Sequence, residues 1–191
     1  MKNFILLFTV ALFVGCASPG VQVTFDDEKS NAIRAHIQNY CNNDVEAVLA
    51  LAADNVEVYI NSSEPTSLED VLSIVEIQHA TFSPITTSWS QDDGGEDIGA
   101  WIESTNYPEG PANEAVSVTQ AWFTWNGTSK LSGEVISVPV HVVYVWNSEG
   151  KIETEYQFYD PTNIAAAIEA SLAASESVSY THLRAHETLR Y

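Results

Sequence analysis

The chain has 191 residues, of which 45% are hydrophobic and 17% charged, a composition that predicts one globular domain of ordinary size. Its formal net charge is -19. Because so acidic a surface repels phosphate backbones, the charge argues against nucleic acid as a partner, and approach to anionic lipid headgroups requires a separate anchor.

The N-terminal residues 1–15 have the pattern of a signal peptide. Lys2 precedes an apolar run of about a dozen residues, which is too short for a membrane-spanning helix. The tetrad FVGC at residues 13–16 resembles a bacterial lipobox, in which the cysteine is diacylated. We therefore predict an exported lipoprotein held at the periplasmic face or the cell surface by lipidated Cys16, with a tether over residues 16–26. The alternative is an ordinary signal peptide with Cys16 incidental.

The residues that follow the tether predict three helices and a strand. Apolar residues at helical spacing indicate a helix over residues 27–41. Asp44 can cap a second helix over residues 45–53, and residues 56–60 alternate as a short strand. A capping box then begins a third helix over residues 66–80.

After the third helix the hydrophobic period changes to two, which is typical of strands. The predicted strands span residues 85–89, 98–104, 115–125, 134–146 and 151–159. Asn126-Gly127 is predicted as a hairpin turn, residues 91–97 as an acidic loop, and residues 162–173 as a helix. Helices followed by a β-meander predict an α+β fold, with helices on one face of a curved antiparallel sheet.

The C-terminal residues differ in chemistry from those before them. Residues 178–191 read VSYTHLRAHETLRY and hold two of the five histidines. This string resembles a translated sequencing adapter. We therefore assign residues 175–191 to a non-native or disordered tail and residues 27–174 to the domain.

The order of elements resembles the nuclear transport factor 2-like superfamily, which includes SnoaL-like and steroid-isomerase branches. The likeness lies in residues 43–58, which read NDVEAVLALAADNVEV, and in residues 144–160, which read YVWNSEGKIETEYQFYD. It is a pattern of spacing, so it indicates fold more than function. It implies a cone-shaped curved antiparallel sheet, with the N-terminal helices packed on its concave face and a pocket between the two layers.

The steroid-isomerase branch uses a tyrosine, a basic aspartate and a protonated aspartate. Carried over from the resemblance, these three positions are His36, Ile60 and Val142. Because neither Ile60 nor Val142 can exchange a proton, the sequence argues against steroid-isomerase chemistry.

The resemblance points one face of the last strand into the cone, beneath the first helix. The ligand-binding residues that it implies are His36, Tyr40, Val142, Tyr144, Trp146, Glu155, Gln157 and Tyr159. His36 is a candidate general base, because imidazole titrates near neutrality. In the alternative interpretation, Glu155 and Gln157 lie on the solvated face of an edge strand. The histidines lack ligand-like spacing, so we expect no metal and no cofactor.

Three hypotheses for function follow. The first is a membrane-anchored protein that binds a small apolar or amphipathic ligand, or a protein partner, in the conical pocket. The second is an isomerase or hydrolase with His36 as base, assisted by Tyr159 or Glu155. The third is a structural envelope protein that forms a homodimer through its outer sheet face, as many members of the superfamily do.

Overall fold

The structure is a computed structural model that describes residues 20–89 and 99–188, with side chains up to residue 175. The predicted signal peptide, the lipidation residue Cys16 and the acidic loop at 91–97 lie outside the described residues. The elements in chain order are β1 (Gln22–Thr24), α1 (Glu28–Cys41), α2 (Val45–Leu49), β2 (Ala52–Ile60), α3 (Leu68–Thr81), β3 (Phe82–Ser88), β4 (Trp101–Tyr107), β5 (Val116–Ser129), β6 (Val135–Trp146), β7 (Ile152–Tyr159) and α4 (Thr162–Thr188).

Side-chain caps fix the starts of the N-terminal helices. The Asp27 carboxylate accepts from the Ser30 amide at 2.7 Å, and the Ser30 hydroxyl accepts from the Asp27 amide at 2.8 Å, so α1 begins with a capping box. The cap of helix α3 is one residue later than the start of the predicted capping box at Thr66, because the Ser67 hydroxyl accepts a hydrogen bond from the Asp70 amide. Helix α2 is shorter than predicted, since residues 52–60 are already strand.

The strands form one seven-stranded sheet in the order β1-β4-β5-β6-β7-β2, with β3 also paired to β5. The α+β class with a curved sheet and helices against it is confirmed. All pairings are antiparallel except that of β2 with β7, which run parallel. Strand β7 therefore lies inside the sheet, between β6 and β2.

The predicted turn at Asn126-Gly127 is wrong. Both residues belong to β5, where Asn126 pairs with Ser137 of β6. The chain turns four residues later, where the Ser129 amide donates to the Glu134 carbonyl at 2.8 Å and Gly133 adopts a φ of +74°. Gly127 is needed inside the strand for a different reason, since a Cβ there would lie 2.2 Å from the Trp125 ring.

Secondary structure lies on both sides of the predicted domain bounds, 27–174, which stay a prediction. Residues 22–24, which were expected to be tether, form β1 and pair with β4. At the other end, the backbone of α4 continues to Thr188. That the tail is non-native stays a prediction. Within the described ranges, no helix has both the length and the apolar character needed to cross a bilayer.

The core lies between the helices and the concave face of the sheet. Ile33 and Ile37 of α1 are buried there at 0% and 4% exposure. They pack with the inward side chains of β5 and β6, among them Phe123 and Val142. Because side chains alternate between the two faces of a strand, every second residue of these strands also points inward, and these residues form the wall of the site.

Candidate functional site

A cavity of about 140 Å³ lies between helices α1 and α3 and the inner face of β5, β6 and β7. A second lobe of about 60 Å³ continues from it toward α2. His36, Tyr40 and Glu155 line both lobes. Most of the other lining side chains are aliphatic or aromatic, so a few polar groups converge in an otherwise apolar space.

Seven of the eight ligand-binding residues implied by the resemblance line this cavity. They are His36, Tyr40, Val142, Tyr144, Glu155, Gln157 and Tyr159. Trp146 does not line it. That tryptophan is buried at the far end of β6, where its indole N–H donates to the Thr119 hydroxyl at 2.8 Å. Trp146 is therefore a core residue, because strand alternation sets which face a side chain occupies but not how far along the cone it lies.

Glu155 is in the middle of β7, opposite Tyr144 of β6 and Val58 of β2. Because β7 is flanked on both sides, the interpretation of Glu155 on an edge strand is wrong. The Gln157 amide donates to one Glu155 oxygen at 2.7 Å. Burial raises the pKa of Glu155 to about 6, against the opposing effect of that hydrogen bond. The carboxyl therefore titrates near neutrality.

His36 projects from α1 over the ring of Tyr144, edge to face, with 5.7 Å between ring centroids. Its Nδ1 is buried and has no hydrogen-bond partner among the described residues. We infer that Nε2 is the ring nitrogen on the cavity side. Burial lowers the pKa of His36 to about 4. At neutral pH the ring is thus uncharged and a weak base, which disfavours the general-base role that its ordinary pKa suggested.

Tyr40 is the centre of a buried hydrogen-bond chain. Its hydroxyl donates to the Gln78 side-chain oxygen at 2.7 Å and accepts from the Trp125 indole N–H at 2.9 Å. Burial raises the pKa of Tyr40 well above its usual range, so the phenol stays neutral. The chain fixes the rings of Tyr40 and Trp125, which line the cavity.

The sequence interpretation missed the wall formed by α3 and β5. Val71, Ile74, Val75 and Gln78 of α3 line the cavity, as do Phe123 and Trp125 of β5. The apolar stripe of α3 was a sufficient signal for Val71 and Val75. Gln78 had no such signal, because its partner Tyr40 is 38 residues away. Among the described side chains, no three His, Cys, Asp or Glu residues are grouped as metal ligands.

Comparisons with known proteins show the fold. No family model and no curated protein matches the sequence. IdmH of Streptomyces antibioticus, provisionally assigned as a polyketide cyclase, is 12% identical with a TM-score of 0.51, over 75% of this chain and 99% of that chain. AclR of Streptomyces galilaeus, provisionally assigned as a hydroxylase, is 9% identical with a TM-score of 0.54, over 75% and 96%.

A nuclear transport factor 2-like protein of unknown function from Burkholderia pseudomallei is 11% identical with a TM-score of 0.50, over 75% and 98% of the two chains. The chain thus has the nuclear transport factor 2-like fold, as the resemblance implied. Identities this low carry no residue roles from one protein to another, so the function must be argued from this chain's own site.

Proposed function

We propose that the cone binds one small, mostly apolar molecule whose polar group reaches Glu155 and His36. The observation that carries the proposal is the cavity of about 140 Å³ with these two half-buried polar side chains on its wall. An engineered apolar cavity of about 150 Å³ in another protein binds benzene. The space here therefore suits a molecule of about one ring.

The polar groups distinguish this cavity from a packing defect. A buried polar group without a partner costs free energy, so a defect is normally lined by apolar atoms. Here Glu155 and His36 both line the cavity, and Glu155 has one hydrogen bond, from Gln157. A bound molecule with a hydroxyl or carbonyl group would supply partners on the cavity side, which is the arrangement typical of ligand sites.

The test is ligand-observed NMR with phenol, using two phenylalanine substitutions on one strand. Val142 is buried and lines the cavity, whereas its neighbour Val143 points to the opposite face. Wild type and Val143→Phe should both bind phenol, and Val142→Phe should not, because its larger ring fills the space. Equal binding by both variants would place phenol elsewhere and refute the proposal.

A second candidate function is proton-transfer catalysis with Glu155, rather than His36, as the base. The supporting observation is the pKa of Glu155 near 6, which suits a general base at neutral pH. Neutral His36 would then donate a hydrogen bond to a substrate carbonyl.

The assay is exchange of the α-protons of cyclohexanone in deuterated water. Wild type and the exposed-site control Glu153→Gln should accelerate exchange, and Glu155→Gln should not; equal rates for all three proteins would exclude catalysis by Glu155.

Homodimer formation through the outer sheet face remains our proposal. Trp122, His141 and Phe158 lie in register across β5, β6 and β7, with the first two rings 4.6 Å apart and nearly parallel. Phe158 is 49% exposed. Such an aromatic row on a surface favours self-association, which would also serve a structural role in the envelope. Sedimentation should show a dimer for wild type and a monomer for Phe158→Asp; a monomeric wild type at high concentration would contradict the proposal.

Export and anchoring through Cys16 also remain proposals, supported by the signal pattern and the FVGC tetrad at residues 13–16. Two or more acyl chains would hold the domain firmly at a membrane. In cells, Cys16→Ala should move the protein from the membrane fraction to the soluble fraction and abolish palmitate labelling. An unchanged distribution would show that Cys16 is not the anchor.

A further inference from the structure

The cavity contains a carboxyl group without a cation. The structure describes four lysine or arginine side chains, and none of them lines the cavity. Lys29 lies over the Trp146 ring, and Arg34, Lys130 and Lys151 each donate to a backbone carbonyl outside the cavity. Among the described side chains, the direct partner of an ionised Glu155 is therefore the neutral Gln157 amide.

The wall around this carboxyl is aromatic. Five aromatic side chains line the cavity: Tyr40, Phe123, Trp125, Tyr144 and Tyr159. The faces of aromatic rings carry negative electrostatic potential and attract cations, best when water is excluded. The lining is mostly apolar, so it solvates alkyl groups well. A carboxylate surrounded by aromatic side chains favours binding of a cation that carries alkyl substituents.

We propose that the cone's ligand is a small organic cation, an alkyl-substituted ammonium ion, whose positive charge lies against the Glu155 carboxylate. This inference rests on the proposed function, because it names the ligand class of the same site. A cavity of about 140 Å³ has room for one such ion with its alkyl groups. The formal net charge of -19 adds a long-range attraction for cations.

Competing ligand classes fit the wall less well. A hydrated metal ion needs several oxygen ligands, and no such cluster is present among the described side chains. An anion would face the buried carboxylate without any cationic side chain to pair with. A neutral ring would fill the space but would leave the ionised Glu155 without a counter-charge.

The charge state of the cavity sets the pH dependence of binding. The titratable groups that line the cavity with Glu155 are His36 and Tyr40 from α1, Tyr144 from β6 and Tyr159 from β7, and Asp44, the cap of α2, lines the second lobe with it. Burial lowers the pKa of His36 and raises those of the three tyrosines, so these four groups are uncharged near neutrality. Burial places the pKa of Glu155 between acidic and neutral pH. Affinity for a cation should rise as pH increases through about 6.

The experiment is calorimetric titration of the purified protein with tetramethylammonium chloride at constant ionic strength. The neutral comparison ligand is tert-butanol, which has a similar shape without the charge. Wild type and Glu153→Gln should bind the cation about tenfold or more tightly than Glu155→Gln does, and wild-type affinity should fall at acidic pH. The control residue Glu153 is exposed on the same strand. Thermal unfolding of each variant confirms that it is folded.

The outcomes separate the two proposals. Binding of tetramethylammonium that is lost in Glu155→Gln supports the inference. Binding of tert-butanol or phenol without binding of the cation overturns the inference and leaves the proposed ligand site standing. Equal binding of the cation by wild type and Glu155→Gln also overturns it. If neither cation nor neutral molecule binds, both proposals fail.

Discussion

Replacement of Glu155 by glutamine should stabilise the protein at neutral pH and leave its stability at acidic pH nearly unchanged. Burial disfavours the ionised carboxylate, which holds the pKa of Glu155 near 6 instead of its ordinary 4.5. Glutamine has a similar shape and keeps an oxygen that can accept from Gln157, but it carries no charge. The substitution therefore removes the cost of a buried charge while retaining the hydrogen bond.

The magnitude follows from the two pKa values. The unfolded chain loses its Glu155 proton near 4.5, and the folded chain loses it near 6. Between these values the folded state binds more protons, so stability falls as pH rises. At 1.36 kcal/mol for each pH unit, the ionised group destabilises the fold by about 2 kcal/mol above pH 6. In a domain of this size, that free energy corresponds to a melting-temperature change of about 4–8 °C.

Urea unfolding followed by tryptophan fluorescence measures this effect. Glu155→Gln should exceed wild type by about 2 kcal/mol near pH 8 and match it near pH 4. Any packing change caused by the amide acts at both pH values, so the difference between them is diagnostic. Exposed Glu153→Gln should show no such pH-dependent gain. An equal effect of Glu155→Gln at both pH values would show that the carboxyl is not buried as a charge, and would refute the reasoning.

Three further predictions concern the cavity wall. Tyr40→Phe should lower the free energy of unfolding by about 1–3 kcal/mol, measured by urea unfolding, because Gln78 and Trp125 lose their shared partner. Gly127→Ala should destabilise by about 1–3 kcal/mol in the same assay, because the added Cβ would lie 2.2 Å from the Trp125 ring; a neutral result would contradict that contact. The free energy of unfolding of wild type, relative to that of His36→Asn, should decrease by about 3 kcal/mol as pH falls from about 6.5 to 4. The reason is that the imidazole binds a proton in the unfolded chain over this range but not in the folded one. A difference that does not change with pH would contradict the burial of His36.

The resemblance and strand periodicity together located much of the candidate site. The resemblance placed one face of β7 toward the cone, and because side chains alternate across a sheet, Glu155, Gln157 and Tyr159 share that face, which lines the cavity. The same rule failed for Trp146, because alternation carries no information on depth along the cone. A different rule, the Asn-Gly turn signal, failed at Gly127, since that signal is the same whether glycine provides a positive φ or simply makes room for a ring.

The chemistry of the site was less predictable than its location. Ordinary pKa values favoured His36 as the group that exchanges protons near neutrality. Burial lowers the pKa of His36 and raises that of Glu155, so their roles are exchanged. These two pKa shifts depend on how completely α1 and α3 cover the sheet, which is a property of the whole fold. The link from Tyr40 to Gln78 depends on the same packing between distant helices.

A crystal structure of the protein grown with phenol tests whether the cone is a ligand site. We expect one ring-shaped ligand between His36 and Glu155, with its hydroxyl directed at the carboxyl group and the rings of Tyr40 and Trp125 unchanged. A cavity closed by the surrounding side chains, or phenol bound only on the outer face of the sheet, would contradict the assignment of the cone as a ligand site.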